Sequence, residues 1–96
     1  MDSIVVTGDL DPLAALQLRS RLATATAELR PVVEIDLTDV QSVHVAGTAA
    51  LISAARRAQQ QGGEVRIIAP KSPKARQELG LTSWFPPGVI HDPARP

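Results

Sequence analysis

The chain has no cysteine, only two aromatic residues (Trp84 and Phe85), and no excess of either charge, with ten basic against ten acidic groups in 96 residues. Each scarcity closes a class of function. Without cysteine there are no disulfides, no thiolate catalysis and no cysteine-ligated metal. With so few aromatics there is no ladder of rings for stacking bases, and a neutral chain has no general steering toward nucleic acid or membrane. No apolar run approaches the ~20 residues that span a bilayer. The start, Ile4-Val5-Val6, lacks a preceding basic region and is soon followed by Asp9 and Asp11, so it does not read as a signal peptide. These features predict a soluble, cytoplasmic protein. Its size predicts a single domain over residues 1–96, with a core spanning about residues 4–90 and a loose tail over residues 91–96. The 44% hydrophobic content suffices for one modest core.

What is present is an alternation of strand and helix signals. Ile4 to Thr7 is a short β-rich run that Gly8-Asp9 ends in a turn. Asp11 then caps a helix with Pro12 at its first position. Leu18, Leu22, Ala25 and Leu29 recur at helical spacing, Leu13 and Leu16 extend that apolar side, and Pro31 stops the helix. Val32 to Leu37 reads as a buried central strand, with Glu34 and Asp36 interspersed, and Thr38 to Val45 follows as a loop. A second helix is predicted from Thr48 to Gln61, with Leu51, Ala54, Ala55 and Ala58 on one face, ended by Gly62-Gly63. Val65 to Ala69 is another strand, Lys74 to Leu79 a short helix ending at Gly80, and Leu81 to Phe85 a segment packing back on the core. Pro86-Pro87-Gly88 is a rigid turn before an edge strand at Val89-Ile90. This order predicts an α/β protein with a mostly parallel central sheet and right-handed crossovers.

Catalytic patterns are missing. His44 and His91 are the only histidines, and Asp36, Asp39 and His44 lack a standard metal-ligand spacing. Ser42 beside His44 is no triad, and no Gly-x-Ser-x-Gly elbow occurs. Lys71-Ser72 lacks the glycines of a phosphate loop, and Gly8-Asp9 lacks those of a dinucleotide fingerprint. A phosphoaspartate site at Asp36, with Asp9, Asp11 and Lys71, would need a longer alternating sheet than this chain supplies. The protein is read as a non-enzyme with no cofactor.

Read together, several segments resemble the STAS family, the anti-sigma factor antagonists. Val6-Thr7-Gly8-Asp9-Leu10-Asp11 resembles its opening strand and turn, and Val33 to Val40 its central strand. Ser42-Val43-His44-Val45-Ala46-Gly47-Thr48-Ala49-Ala50-Leu51 lies where its signature Asp-Ser-Ser-Gly-Leu loop and helix start belong. Gly62-Gly63 with Val65 to Ile68, and Ala75 to Leu81, are similar to its later steps. The resemblance implies a small α/β unit with helices packed largely on one side of the sheet. It also implies a non-catalytic binding protein, whose partner, an anti-sigma factor often also a serine kinase, phosphorylates the residue before the glycine. Here His44 stands at the family's aspartate position, Val45 at the first serine and Ala46 at the phosphoacceptor. Gly47 is kept and Thr48 replaces leucine. Alanine has no oxygen to phosphorylate, so the resemblance implies a scaffold that has lost its trigger.

The partner-binding face expected on this basis comprises His44, Val45, Ala46, Gly47, Thr48, Ser53, Arg56 and Arg57. Thr48 is read as a capping or packing residue, with an alternative role as phosphoacceptor, and Ser42 is the other alternative acceptor. The leading function is a regulatory domain that binds an anti-sigma factor or related signalling protein without the usual serine phosphorylation. The alternatives are a scaffold or homo-oligomer subunit of a signalling complex and, behind it, a small-ligand sensor. Direct nucleic-acid and membrane contacts are not expected.

Overall fold

The computed structural model describes residues 2–80, 85, 86 and 88–92. Strands and helices alternate: β1 (Asp2–Leu10), α1 (Pro12–Ala25), β2 (Val32–Val43), α2 (Val45–Gln60), β3 (Glu64–Ile68), α3 (Pro73–Leu79) and β4 (Ile90–His91). The four strands form one parallel sheet in the order β1-β2-β3-β4. Right-handed crossovers that step steadily in one direction put all three helices on the same face. The core lies between that face and the helices. Val33, Ile35 and Leu37 of β2 are flanked by Ile4 and Leu10 of β1 and by Val65 and Ile67 of β3. They meet Leu18 and Leu22 of α1, Leu51 and three alanines of α2, and Ala75 and Leu79 of α3. Glu34 and Asp36 fall between the buried positions of β2, so the period of two turns them to the uncovered face.

The helix termini follow local chemistry. Asp11 caps α1 by accepting from Ala14 N–H at 2.8 Å, and Ser72 caps α3 by accepting from Ala75 N–H at 3.3 Å. α1 ends at Ala25, short of Pro31. Buried Thr26 closes it there, donating both its N–H and its hydroxyl to the Leu22 carbonyl, at 2.9 and 2.7 Å. Leu29 therefore lies beyond the helix and is 86% exposed. The expected apolar continuation at Leu13 and Leu16 is also corrected, because these side chains are 66% and 64% exposed. The buried stripe of α1 is Ala15, Leu18 and Leu22, and Leu16 sits about 100° around the helix from Ala15.

Other boundaries move as well. β1 continues through Gly8-Asp9 to Leu10, and β2 continues through the segment expected as a loop as far as Val43. The pairing tolerates this because β2 gains one residue on β1 between Val5↔Asp36 and Thr7↔Asp39, and another between Gly8↔Val40 and Asp9↔Ser42. Such bulges bend and twist a strand pair. α2 begins at Val45, three residues before Thr48. His91 pairs with Ile68 and Asp92 binds the Arg76 guanidinium, so the chain at these two residues is not a loose tail. Phe85 packs against the core. The rest of the expected 81–85 packing segment, Pro87 in the expected turn, and tail positions 93–96 lie outside the described residues.

Candidate functional site

The site lies where the C-terminal ends of β1 and β2 meet the start of α2. Leu10 and Val43 are paired neighbours in the sheet. The chain turns at His44, whose N–H donates to the Leu10 carbonyl at 2.9 Å. His44 is also the N-cap of α2, its Nδ1 accepting from Ala46 N–H at 3.1 Å. A nitrogen that accepts carries no proton, so the hydrogen of the neutral ring sits on Nε2. From the other side, Val43 N–H donates to Glu78 Oε1 of α3 at 3.1 Å, and the Ser72 hydroxyl donates to the Gln41 carbonyl at 3.3 Å. The start of α2 is thus tied to β1, β2 and, through β2, to α3.

Gly47 explains how closely α2 approaches the sheet. A Cβ at this position would fall 2.6 Å from Leu10 Cδ2 and 2.7 Å from Leu10 Cγ. The glycine lets the first turn of α2 rest on a fully buried leucine. His44, Val45 and Ala46 consequently project outward, with Val45 74% exposed. Thr48 faces the other way. It is half-buried, and its Oγ1 is shielded from solvent with no hydrogen-bond partner among the described residues. Ser42 is half-buried, its hydroxyl donating to Asp9 Oδ1 at 2.8 Å.

The eight expected contact residues do not share one surface. Ala46, Ser53 and Arg57 line a shallow groove between α1 and α2. Its middle section, of 270 Å³, is walled by Arg19, Ala46, Ala49, Ala50 and Ser53. One end continues to Pro12, Ala15 and Leu16, and the other to Leu22, Ala23, Ala54 and Arg57. His44, Val45 and Arg56 are exposed outside it, while Gly47 is buried. The α1 wall, with Leu16 and Arg19, was missed by sequence reasoning. The available signal was the position of Leu16 off the Ala15-Leu18-Leu22 stripe, an apolar residue where an amphipathic helix carries polar ones.

The electrostatics are plain. α1 and α2 carry Arg19, Arg21, Arg56 and Arg57 and no carboxylate. The carboxylates nearest the site in sequence are on β1, β2 and the turn at Asp11. Asp36 accepts from both Thr38 N–H, at 2.9 Å, and the Thr38 hydroxyl in the first bulge of β2. These bonds, the hydroxyl's first, hold its carboxyl below the usual carboxylate range against a smaller opposing effect of burial. Among the described residues no three His, Asp or Glu side chains converge as a metal site would require, and no helix is long and apolar enough to cross a membrane.

Comparison with known proteins adds two findings. Residues 2–84 match the family model described as Mlab, STAS domain. The fold is similar to the solved structure of the anti-sigma factor antagonist SpoIIAA in its unphosphorylated form, with a TM-score of 0.74 and 20% identity, over 94% of this chain and 76% of that one.

Proposed function

The chain belongs to the STAS domain family, and from that premise we propose that it is a non-catalytic, cytoplasmic binding domain that docks an anti-sigma factor or a related signalling protein on the exposed start of α2, with no phosphorylation switch at position 46. The observation that carries this reading is the pairing of Val45 and Ala46. Both are exposed, apolar and held at a helix N-terminus by His44 and Gly47. A phosphate placed there would add roughly −1.5 to −2 charges and alter any desolvated contact; a methyl group leaves the contact constant. Neither neighbouring hydroxyl offers an easy substitute. Thr48 Oγ1 is shielded and Ser42 Oγ is engaged with Asp9, so an acceptor role for either requires local rearrangement first. Nucleic acid and membrane play no part in this reading.

A second reading, a scaffold or homo-oligomer subunit, draws support from exposed Val5 on β1, which among the described residues pairs on one side only and so forms an edge of the sheet. The mass of the purified protein in solution separates it from the first: a stable assembly of this chain alone favours the scaffold. The docking reading is tested by capturing partners from the native cell with the wild type and with Val45→Glu. It predicts one dominant regulatory protein, lost on substitution while the far-UV spectrum is unchanged. Capture of no such protein, or its retention by the variant, contradicts it.

A further inference from the structure

Resting on the docking reading above, we infer that the groove between α1 and α2 receives an acidic amphipathic helix of the partner protein. The shape comes first. From Ala46 to Arg57 the groove follows α2 for roughly 16 Å at 1.5 Å per residue, which is about three helical turns. Its floor is made of alanines, which allow a third helix to come close, and its outer wall carries exposed Leu16. An apolar stripe laid along that floor has a place to be buried, as in other helix-in-groove contacts.

Charge then selects the occupant. Arg19 lines all three sections of the groove and Arg57 lines the far one. Neither meets a carboxylate among the described residues, where the ion pairs are Arg66 with Glu64 and Arg76 with Asp92. The chain is neutral as a whole, yet both groove-forming helices lack acids entirely. The cations facing the groove are therefore left for something else. Guanidinium groups pair with carboxylates in planar, often bidentate geometry. An occupant with carboxylates flanking its apolar stripe satisfies both arginines while covering Leu16. A basic or neutral helix leaves them unpaired beside a desolvated contact.

The test is selection from a displayed library of random helix-length peptides on the intact protein, with the Arg19→Glu/Arg57→Glu double variant as counter-selection. Affinities of the enriched peptides are then measured by fluorescence anisotropy. Enriched sequences should carry apolar residues at helical spacing flanked by Asp and Glu. Binding should weaken with added salt and drop by at least about tenfold in the double variant, whose circular dichroism stays that of the wild type. Enrichment of neutral or basic peptides, no enrichment, or equal binding by the double variant overturns the inference. So does displacement of the peptides by phosphatidylserine-containing vesicles, which would mark the groove as a lipid surface. A native partner lost on Val45→Glu but retained by the double variant overturns this inference alone; retention in both experiments removes the docking reading as well.

Discussion

Replacing Gly47 by alanine tests how the start of α2 is held. The new Cβ would stand 2.6 and 2.7 Å from two Leu10 carbons and 3.6 Å from Val43 Cγ1. Favourable carbon contacts lie near ~3.5–4.0 Å, so the shortfall against Leu10 is about 1 Å. Leu10 is fully buried, its backbone pairs with Val43, and its carbonyl accepts from His44 N–H. Relief thus requires a strained leucine rotamer or a lifted first turn of α2. Overpacking of this kind costs about 1–3 kcal/mol, and an overlap of about 1 Å with a fully buried side chain falls in the upper part, about 2–3 kcal/mol, against which the better helix propensity of alanine returns at most about 1 kcal/mol. The expected net loss is about 1–2 kcal/mol, read by urea titration at constant slope, with Tm lowered by about 4–8 °C per kcal/mol. Leu10→Ala alone should cost about 2–5 kcal/mol through its cavity. The double variant should cost clearly less than the sum, since each change relieves the other. A Gly47→Ala protein as stable as the wild type, or strict additivity of the pair, would refute the packing argument.

The remaining expectations concern single groups. Gly63→Ala should be more damaging than Gly47→Ala, because its Cβ would meet the Pro31 carbonyl oxygen at 2.0 Å and Pro31 N at 2.5 Å, and backbone cannot swing aside; equal urea midpoints for the two variants would contradict this. Thr48→Val keeps the shape and removes a hydroxyl that has no partner among the described residues, so it should stabilise by about 1 kcal/mol in the same assay, whereas a loss would reveal a bond to that oxygen. His44→Ala removes the cap on Ala46 N–H and should cost about 1 kcal/mol, while His44→Asp, which caps in the same place, should retain most of it. Asp36 has its folded pKa lowered by Thr38, so its contribution to stability is full above the ordinary carboxylate value and is lost as pH falls through the lowered folded one. Asp36→Asn should lack that acid-side loss, and stability profiles of the two proteins that stay parallel below pH ~4 would contradict it.

The sequence already carried the alternation, the parallel sheet and the buried face of α2, because period, capping residues and glycine punctuation are local signals that agreed with one another. Leu51, Ala54, Ala55 and Ala58 are all buried as their spacing implies. Local signals failed where a tertiary partner decided. β2 runs past Leu37 because Thr38 to Val43 pair with the end of β1 through two bulges, which no periodicity announces. α1 stops six residues before Pro31 because Thr26 bonds back to Leu22 and is locked by Gln61, whose Nε2 donates to the Thr26 carbonyl at 3.3 Å. At the site, the sequence drew attention to His44 through Thr48 but could not tell which of them face outward. That division depends on Gly47 resting on Leu10, a contact between residues far apart in the chain. The α1 wall of the groove was hidden for the same reason.

The docking proposal stands or falls on whether a partner protein sits on the exposed start of α2. Site-specific photo-crosslinking in the native cell addresses it directly, with the photoreactive residue placed at position 46 and, as a control, at position 5 on the uncovered sheet face. One dominant crosslinked protein is expected from position 46 and none from position 5. Crosslinks absent at position 46, or the same partner caught only from position 5, would contradict it.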